Sequence, residues 1–270
     1  MRTRARLLFS LVLLAASSSA VVAQGMPTSQ PGILTIFVEK VKPGMDAAHA
    51  ANEAGWPAAY AKVNSPWNYL AVSSMTGESE VWFMSPYASF AAQGENMKHD
   101  AAVPGLSAEQ DRLWAADGQY LSGTESFEAV ARPDLSYGAF PDLAMVRFYE
   151  ITMFRVRLGH EQSWEAAAKV YAEQVKKFAP GMSYRIYQVT AGMPAGFYMI
   201  MSSVTDYAEF DNVMATDQAM FAKVTPKDMA TLQQSMANDV QTVISNRYRV
   251  SPTMSYVSAE TKAKAPNFWK

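Results

Sequence analysis

Two stretches decide the fold: Pro133-Asp-Leu-Ser-Tyr137 and Pro252-Thr-Met-Ser-Tyr256. Proline, serine and tyrosine recur in them at the same positions. Working back from each, further matches appear at nearly constant spacing. Val41 pairs with Val156, Gly44 with Gly159 and Gly77 with Gly192. Tyr87, Ala88 and Phe90 pair with Tyr207, Ala208 and Phe210, and Leu113 pairs with Leu232. All of these keep their order along the chain. They predict two copies of one unit, over residues 33–140 and 145–257.

Each copy carries the same succession of local signals. Residues 33–42 are rich in β-formers and end at Pro43-Gly44, which predicts a strand and a turn. An Ala-rich helix over 45–63 follows, divided by Pro57. Strands at 67–73 and 80–85 flank Gly77 as a hairpin. Ser85-Pro86 is read as the start of a helix, a second helix follows from Ser107, and a last strand is expected near 128–138. The second copy repeats this order, with strands at 145–157, 184–189, 197–204 and 249–257. Its helices lie at 160–178, around Tyr207 to Met214, and from Pro226. Residues 24–32 read as a mobile lead. Residues 258–270 read as a polar tail in which Phe268-Trp269 has the means to dock.

A four-stranded βαββαβ sheet with helices on one side leaves its other face wet. Val81-Trp-Phe-Met84 and Tyr198-Met-Ile-Met201 are apolar on both faces. Both faces must therefore be covered. The expected fold class is α+β: two tandem ferredoxin-like βαββαβ units packed sheet to sheet as an intramolecular α/β barrel.

In element order and duplication, residues 33–257 resemble the dimeric α/β-barrel superfamily. That group includes NIPSNAP-like proteins, antibiotic-biosynthesis-type monooxygenases and haem-binding chlorite dismutase-like proteins. The resemblance implies that one chain holds what relatives assemble from two. It carries no catalytic motif, and a fold alone does not define a function.

Composition bounds the function class. The 270 residues are 49% hydrophobic, with a net charge of −2 and no cysteine. Arg2, Arg4 and Arg6 precede an apolar run from Leu7 to Ala16, and Val21-Val-Ala23 has the small residues of a cleavage site. Residues 1–23 therefore read as a signal peptide, and the protein as periplasmic or secreted. No long basic run exists, so neither nucleic acid nor, after cleavage, a membrane is an expected partner. Fused units satisfy each other's sheet faces, so a monomer or weak homo-oligomer is expected.

Candidate site residues are few. Glu39 and Glu150 sit mid-strand, where burial between sheets would raise a carboxyl pKa and make a base. The alternative is a solvated strand end, or pairing with Lys40, Arg147 or Arg155. Trp67, Tyr69, Trp82, Tyr184, Tyr187 and Tyr198 crowd the hairpins as a candidate pocket for an aromatic ligand, with plain core packing as the alternative. His49 and Glu53 have i,i+4 spacing, with Asp46 one turn earlier, a spacing that suits a divalent cation. The matching face of the second unit carries Trp164 and Ala168. His49 and Glu53 are accordingly read as a solvated helix face, and no metal is expected. His99 and His160 do not match the haem ligands of the relatives, so no cofactor is expected. Of the 17 methionines, Met229, Met236 and those of the strands fall at core spacing, which argues against a metal-binding role. No nucleotide, nucleophile-elbow or zincin motif is present.

The leading expectation is an exported protein that binds a small, largely apolar or aromatic molecule in or beside the barrel. An alternative, implied by the resemblance, is a cofactor-independent monooxygenase or isomerase using Glu39 and Glu150 as bases. A structural or protein-interaction role is the second alternative. Differences between the copies are where function would reside: Glu39 against Phe154, Trp82 against Met199, and His49 against Trp164.

Overall fold

The computed structural model describes residues 25–269; the expected signal peptide lies outside them. The first half contains β1 (Ile33–Val41), α1 (Asp46–Glu53), α2 (Gly55–Lys62), β2 (Tyr69–Ser74), β3 (Glu80–Tyr87), α3 (Phe90–Ala102), α4 (Leu106–Asp117) and β4 (Leu121–Ala131). Next come β5 (Phe148–Val156), α5 (Glu161–Phe178), β6 (Arg185–Ala191), β7 (Phe197–Val204), α6 (Glu209–Phe221), α7 (Pro226–Asn238) and β8 (Val240–Tyr256). A short α8 (Ala259–Lys264) follows.

The strands close into one antiparallel barrel in the order β1-β3-β2-β8-β5-β7-β6-β4. In the first half β1 lies between β3 and β4, and β2 pairs with β3. In the second half β5 lies between β7 and β8, and β6 pairs with β7. Two seams, β2 with β8 and β4 with β6, join the halves. Matched glycines take matched turns: φ is +80° at Gly44 and +85° at Gly159, and +80° at Gly77 and +85° at Gly192. L side chains rarely adopt this region, which explains glycine at these positions.

The opening pair of motifs sits at the seams. Ser136 Oγ donates to the Arg132 carbonyl (2.8 Å) and accepts from the Ile186 N–H (2.9 Å) on β6. Ser255 Oγ donates to the Ser251 carbonyl (2.6 Å) and accepts from the Ala71 N–H (2.9 Å) on β2. Each serine thus occupies a break in strand pairing and satisfies a backbone donor there. The surrounding backbone differs. Ser255 is within β8, whereas Pro133–Tyr137 is a turn beyond β4, joined to the sheet by a bridge from Tyr137 to Tyr184. The first-half strand therefore lies earlier than the expected 128–138.

Strand parity sorts the side chains. Leu34, Ile36, Val38, Trp82, Met84, Tyr187, Met199 and Tyr248 fill the barrel interior. The interior retains a cavity of about 60 Å³ at one end, far below the roughly 300 Å³ that small-molecule sites require. Alternate residues, among them Glu39, Phe83, Glu150 and Tyr198, face the helices.

Other boundaries move. Ser85 and Pro86 belong to β3, and the following helix is capped by Ser89, whose Oγ accepts from Ala92 N–H. The segment before β1 is packed: Gln30 donates to the Ile186 carbonyl (2.9 Å), and Met26 rests against the barrel core. The polar tail also docks. Trp269 is 3% exposed, and its indole N–H donates to the Ala144 carbonyl at 3.0 Å.

Replacing Ser136 or Ser255 with alanine orphans one seam N–H. Each change is expected to lower stability by about 1–3 kcal/mol, with similar losses in the two halves when measured by urea denaturation.

Candidate functional site

The layer between β1 and its helices contains an unusual set of side chains. Glu39 leaves β1 on the helix side, because Ile36 and Val38 take the barrel side. His49 and Glu53 project from successive turns of α1. Asp117 is the last residue of α4. Exposure is 3% for Glu39, 1% for His49, 2% for Glu53 and 0% for Asp117. One donor atom from each can be chosen so that all four lie within 4.8 Å of one another.

The contacts are specific. His49 Nε2 lies 2.7 Å from Glu39 Oε2 and 3.8 Å from Asp117 Oδ1. The Asn52 amide donates to Asp117 Oδ1 (3.2 Å) and to the Leu113 carbonyl (3.3 Å). The Trp56 indole N–H donates to Glu53 Oε1 at 3.1 Å. No lysine or arginine forms an ion pair with these carboxyls among the described residues. Burial dominates their protonation. It raises Glu39 against the opposing hydrogen bond from His49, and raises Asp117 against the charge of His49. Glu53 is pushed up to about 9 by burial, then by the charges of Glu39 and Asp117. At neutral pH Glu53 is a protonated acid.

A cavity of about 370 Å³ opens beside this group. Its walls are Phe37, Trp56, Tyr60, Tyr69, Phe83 and Trp114, and Glu39 and Glu53 are its carboxyl groups. Phe37 meets Trp114 edge to face at 5.5 Å, and Tyr60 meets Tyr69 likewise at 6.0 Å. The Tyr69 hydroxyl is buried without a hydrogen-bond partner, and burial raises its pKa well above the ordinary tyrosine value.

The second half has a larger cavity, about 760 Å³, between its sheet and α5–α7. Tyr184 lines it, again with an unpartnered hydroxyl. The position opposite the acidic group is apolar here. Phe154 and Trp164 pack with ring centroids 5.7 Å apart, and Ala168 joins the same cluster.

The sequence-derived candidates are therefore divided. Glu39 is buried, but it faces helices and not a second sheet. Glu150 lies in the other half and pairs with Arg247 at 3.1 Å, not with Lys40, Arg147 or Arg155. The six aromatics do not form one pocket. Tyr69 and Tyr184 line separate cavities, and Trp82 and Tyr187 fill the barrel. Tyr198 packs on Trp164 at 4.2 Å and donates to Glu165, and Trp67 lies against Tyr87 at 6.1 Å. His49 and Glu53 are not a solvated helix face. The signal against that reading was present in Trp164 and Ala168, whose apolarity marks the matching helix face as inward. Asp117 had no sequence signal of its own.

Comparison with known proteins gives the class of fold. No protein-family model and no curated protein matches the chain. Solved structures do. A "putative monooxygenase" from Fusobacterium nucleatum is 12% identical, with a TM-score of 0.53 over 82% of this chain and 93% of its own. A second, from Lactobacillus acidophilus, is 8% identical, with a TM-score of 0.50 over 83% and 95%. A variant of the chlorite dismutase of Candidatus Nitrospira defluvii is 9% identical, with a TM-score of 0.48 over 84% and 93%. The chain has the fold of the dimeric α/β-barrel, ferredoxin-like proteins.

Glu53 binds its proton more tightly folded than unfolded, so stability falls as pH rises from about 4.5 to about 9. Glu39 and Asp117, also raised, act in the same direction, and His49 faces all three. In chelator-containing buffer, urea titrations should show Glu53 contributing a slope of up to about 1.4 kcal/mol per pH unit. Glu53→Gln should remove that part of the slope, leaving stability near pH 4 little changed and raising it at neutral pH.

Proposed function

We propose that the chain is a small-molecule enzyme of the monooxygenase or isomerase type, acting on a largely aromatic molecule held in the first-half cavity. The observation that carries this reading is the composition of that cavity. Six aromatic side chains form its walls, and Glu39 and Glu53 are the carboxyls among them. A flat ring would be sandwiched by Trp56, Tyr60, Phe37 and Phe83. A hydroxyl or carbonyl on that ring would meet the unpartnered Tyr69 hydroxyl and these carboxyls. Such sites are typically apolar with a few convergent polar groups.

Two acid–base roles follow from the geometry. Glu39, hydrogen-bonded to His49, is placed to accept a proton from a bound acidic C–H or O–H. Glu53, held protonated, is placed to donate a hydrogen bond to developing negative charge. The fold shared with proteins described as monooxygenases is compatible with this assignment without adding to it, since likeness at such low identity speaks to the scaffold. We propose further that the two halves arose by tandem duplication of a βαββαβ unit, that the first half specialised for chemistry, and that residues 1–23 direct export. Simple binding without turnover is the second reading, favoured by the larger second-half cavity, where Glu150 and Asp217 line the wall but no histidine among the described residues joins them.

A naphthol is a suitable probe. It should quench tryptophan fluorescence through Trp56 and Trp114, with saturation. Trp114→Ala, at a partly exposed wall position, should weaken binding at least about tenfold with little loss of stability. Saturable binding unaffected by Trp114→Ala would place the ligand elsewhere.

A further inference from the structure

We propose that Glu39, His49, Glu53 and Asp117 bind one divalent first-row transition-metal cation, of the class of Mn²⁺, Fe²⁺ or Zn²⁺. The inference goes beyond the aromatic-pocket reading: with an ion bound, Glu39 and Glu53 serve as ligands in place of the acid–base roles above, while the aromatic walls of the cavity are untouched.

Geometry is the first support. Four donors from three elements converge within 4.8 Å of one another. Ligands about 2.0–2.2 Å from a shared tetrahedral ion lie roughly 3.4 Å apart, so the donors must draw together by about 1 Å. Small rotamer adjustments on β1, α1 and the end of α4 would close the difference. An imidazole among carboxylates suits Mn²⁺, Fe²⁺ or Zn²⁺ better than Ca²⁺, which prefers an all-oxygen shell.

Charge is the second. Three carboxyls are 3% exposed or less, with no lysine or arginine ion-paired to them among the described residues. Buried carboxylates are ordinarily paired, protonated or bound to a metal. A dication would balance most of their charge. One orphan atom points the same way: Asp117 Oδ2 is buried and has no hydrogen-bond partner, although its sister oxygen receives Asn52.

The scaffold does not require this polarity. Around β5 and α5 the same layer is filled by Phe154, Trp164 and Ala168, which pack as an ordinary core. The polar set is thus additional to what the fold needs. It also has outer support of the kind metal ligands receive: Trp56 orients Glu53 and Asn52 orients Asp117. A route for the ion exists on two sides. Glu39 and Glu53 border the aromatic cavity, and His49 borders a separate cavity of about 590 Å³ beside Asp46 and Ser79.

The test is isothermal titration of the chelator-treated full chain with MnCl₂ and with ZnCl₂ at neutral pH, paired with thermal melts. One equivalent of at least one ion should bind and raise Tm, because an ion that binds only the folded state stabilises it. Glu39→Gln and His49→Gln should each weaken that binding at least about 100-fold, more than the loss of an outer-shell partner usually costs. If either variant fails to fold, the double change Glu39→Phe with His49→Trp, which copies the packed Phe154 and Trp164, supplies the comparison and should bind no ion. Absence of stoichiometric binding and of any Tm shift in the wild type would overturn the site. So would binding unchanged in the variants. Naphthol titration of the same chelated protein keeps the two readings apart: naphthol binding without metal binding defeats this inference alone, and metal binding without naphthol binding defeats the pocket alone.

Discussion

The barrel depends on a sheet that is apolar on both faces. A half barrel of four strands would expose Trp82, Met84, Phe127 and their neighbours to water. The seams between β2 and β8 and between β4 and β6 remove that exposure by facing each half with the other. Closure also abolishes the free sheet edges that would invite pairing with other chains. Every other feature follows. The interior is committed to packing, and the larger cavities, of about 370 and 760 Å³, lie in the outer layer between sheet and helices.

The two outer layers use that freedom differently. In the second half aromatic and aliphatic side chains fill the space around Trp164, with Tyr198 donating to Glu165 at its margin. In the first, the equivalent region carries three carboxyls and an imidazole. Burying such groups costs several kcal/mol per charge unless they are paired, protonated or metal-bound. Glu53 accepts protonation as its answer in the ion-free state. A fold that can be packed with Phe and Trp at these positions, and is so packed in its other half, has no structural need of the acidic group.

Much of this was legible in the sequence, and the reasons are local. The paired glycines with positive φ, the two Pro-x-x-Ser-Tyr stretches and the doubly apolar strands each report a backbone or burial requirement satisfied by near neighbours. The candidate site was legible only in fragments. Glu39 stood out as a carboxylate inside an apolar strand, and His49 and Glu53 as an i,i+4 pair. Glu150 looked equivalent to Glu39 in sequence yet meets Arg247, a partner on β8 nearly a hundred residues away.

By itself, the sequence determined the mixed α+β class, the order of the strands and helices and the need to cover both sheet faces, because period, turn chemistry and apolarity are encoded within short windows. Only the tertiary structure decided which strand parity faces the barrel, since both faces read alike. It alone decided that Trp269 docks, that the aromatic residues scatter between the barrel interior and separate outer-layer sites, and that Asp117 at the end of α4 meets Glu39 and His49. Those outcomes depend on how helices lie across the sheet, and a helix's angle and depth are set by the packing of many side chains at once.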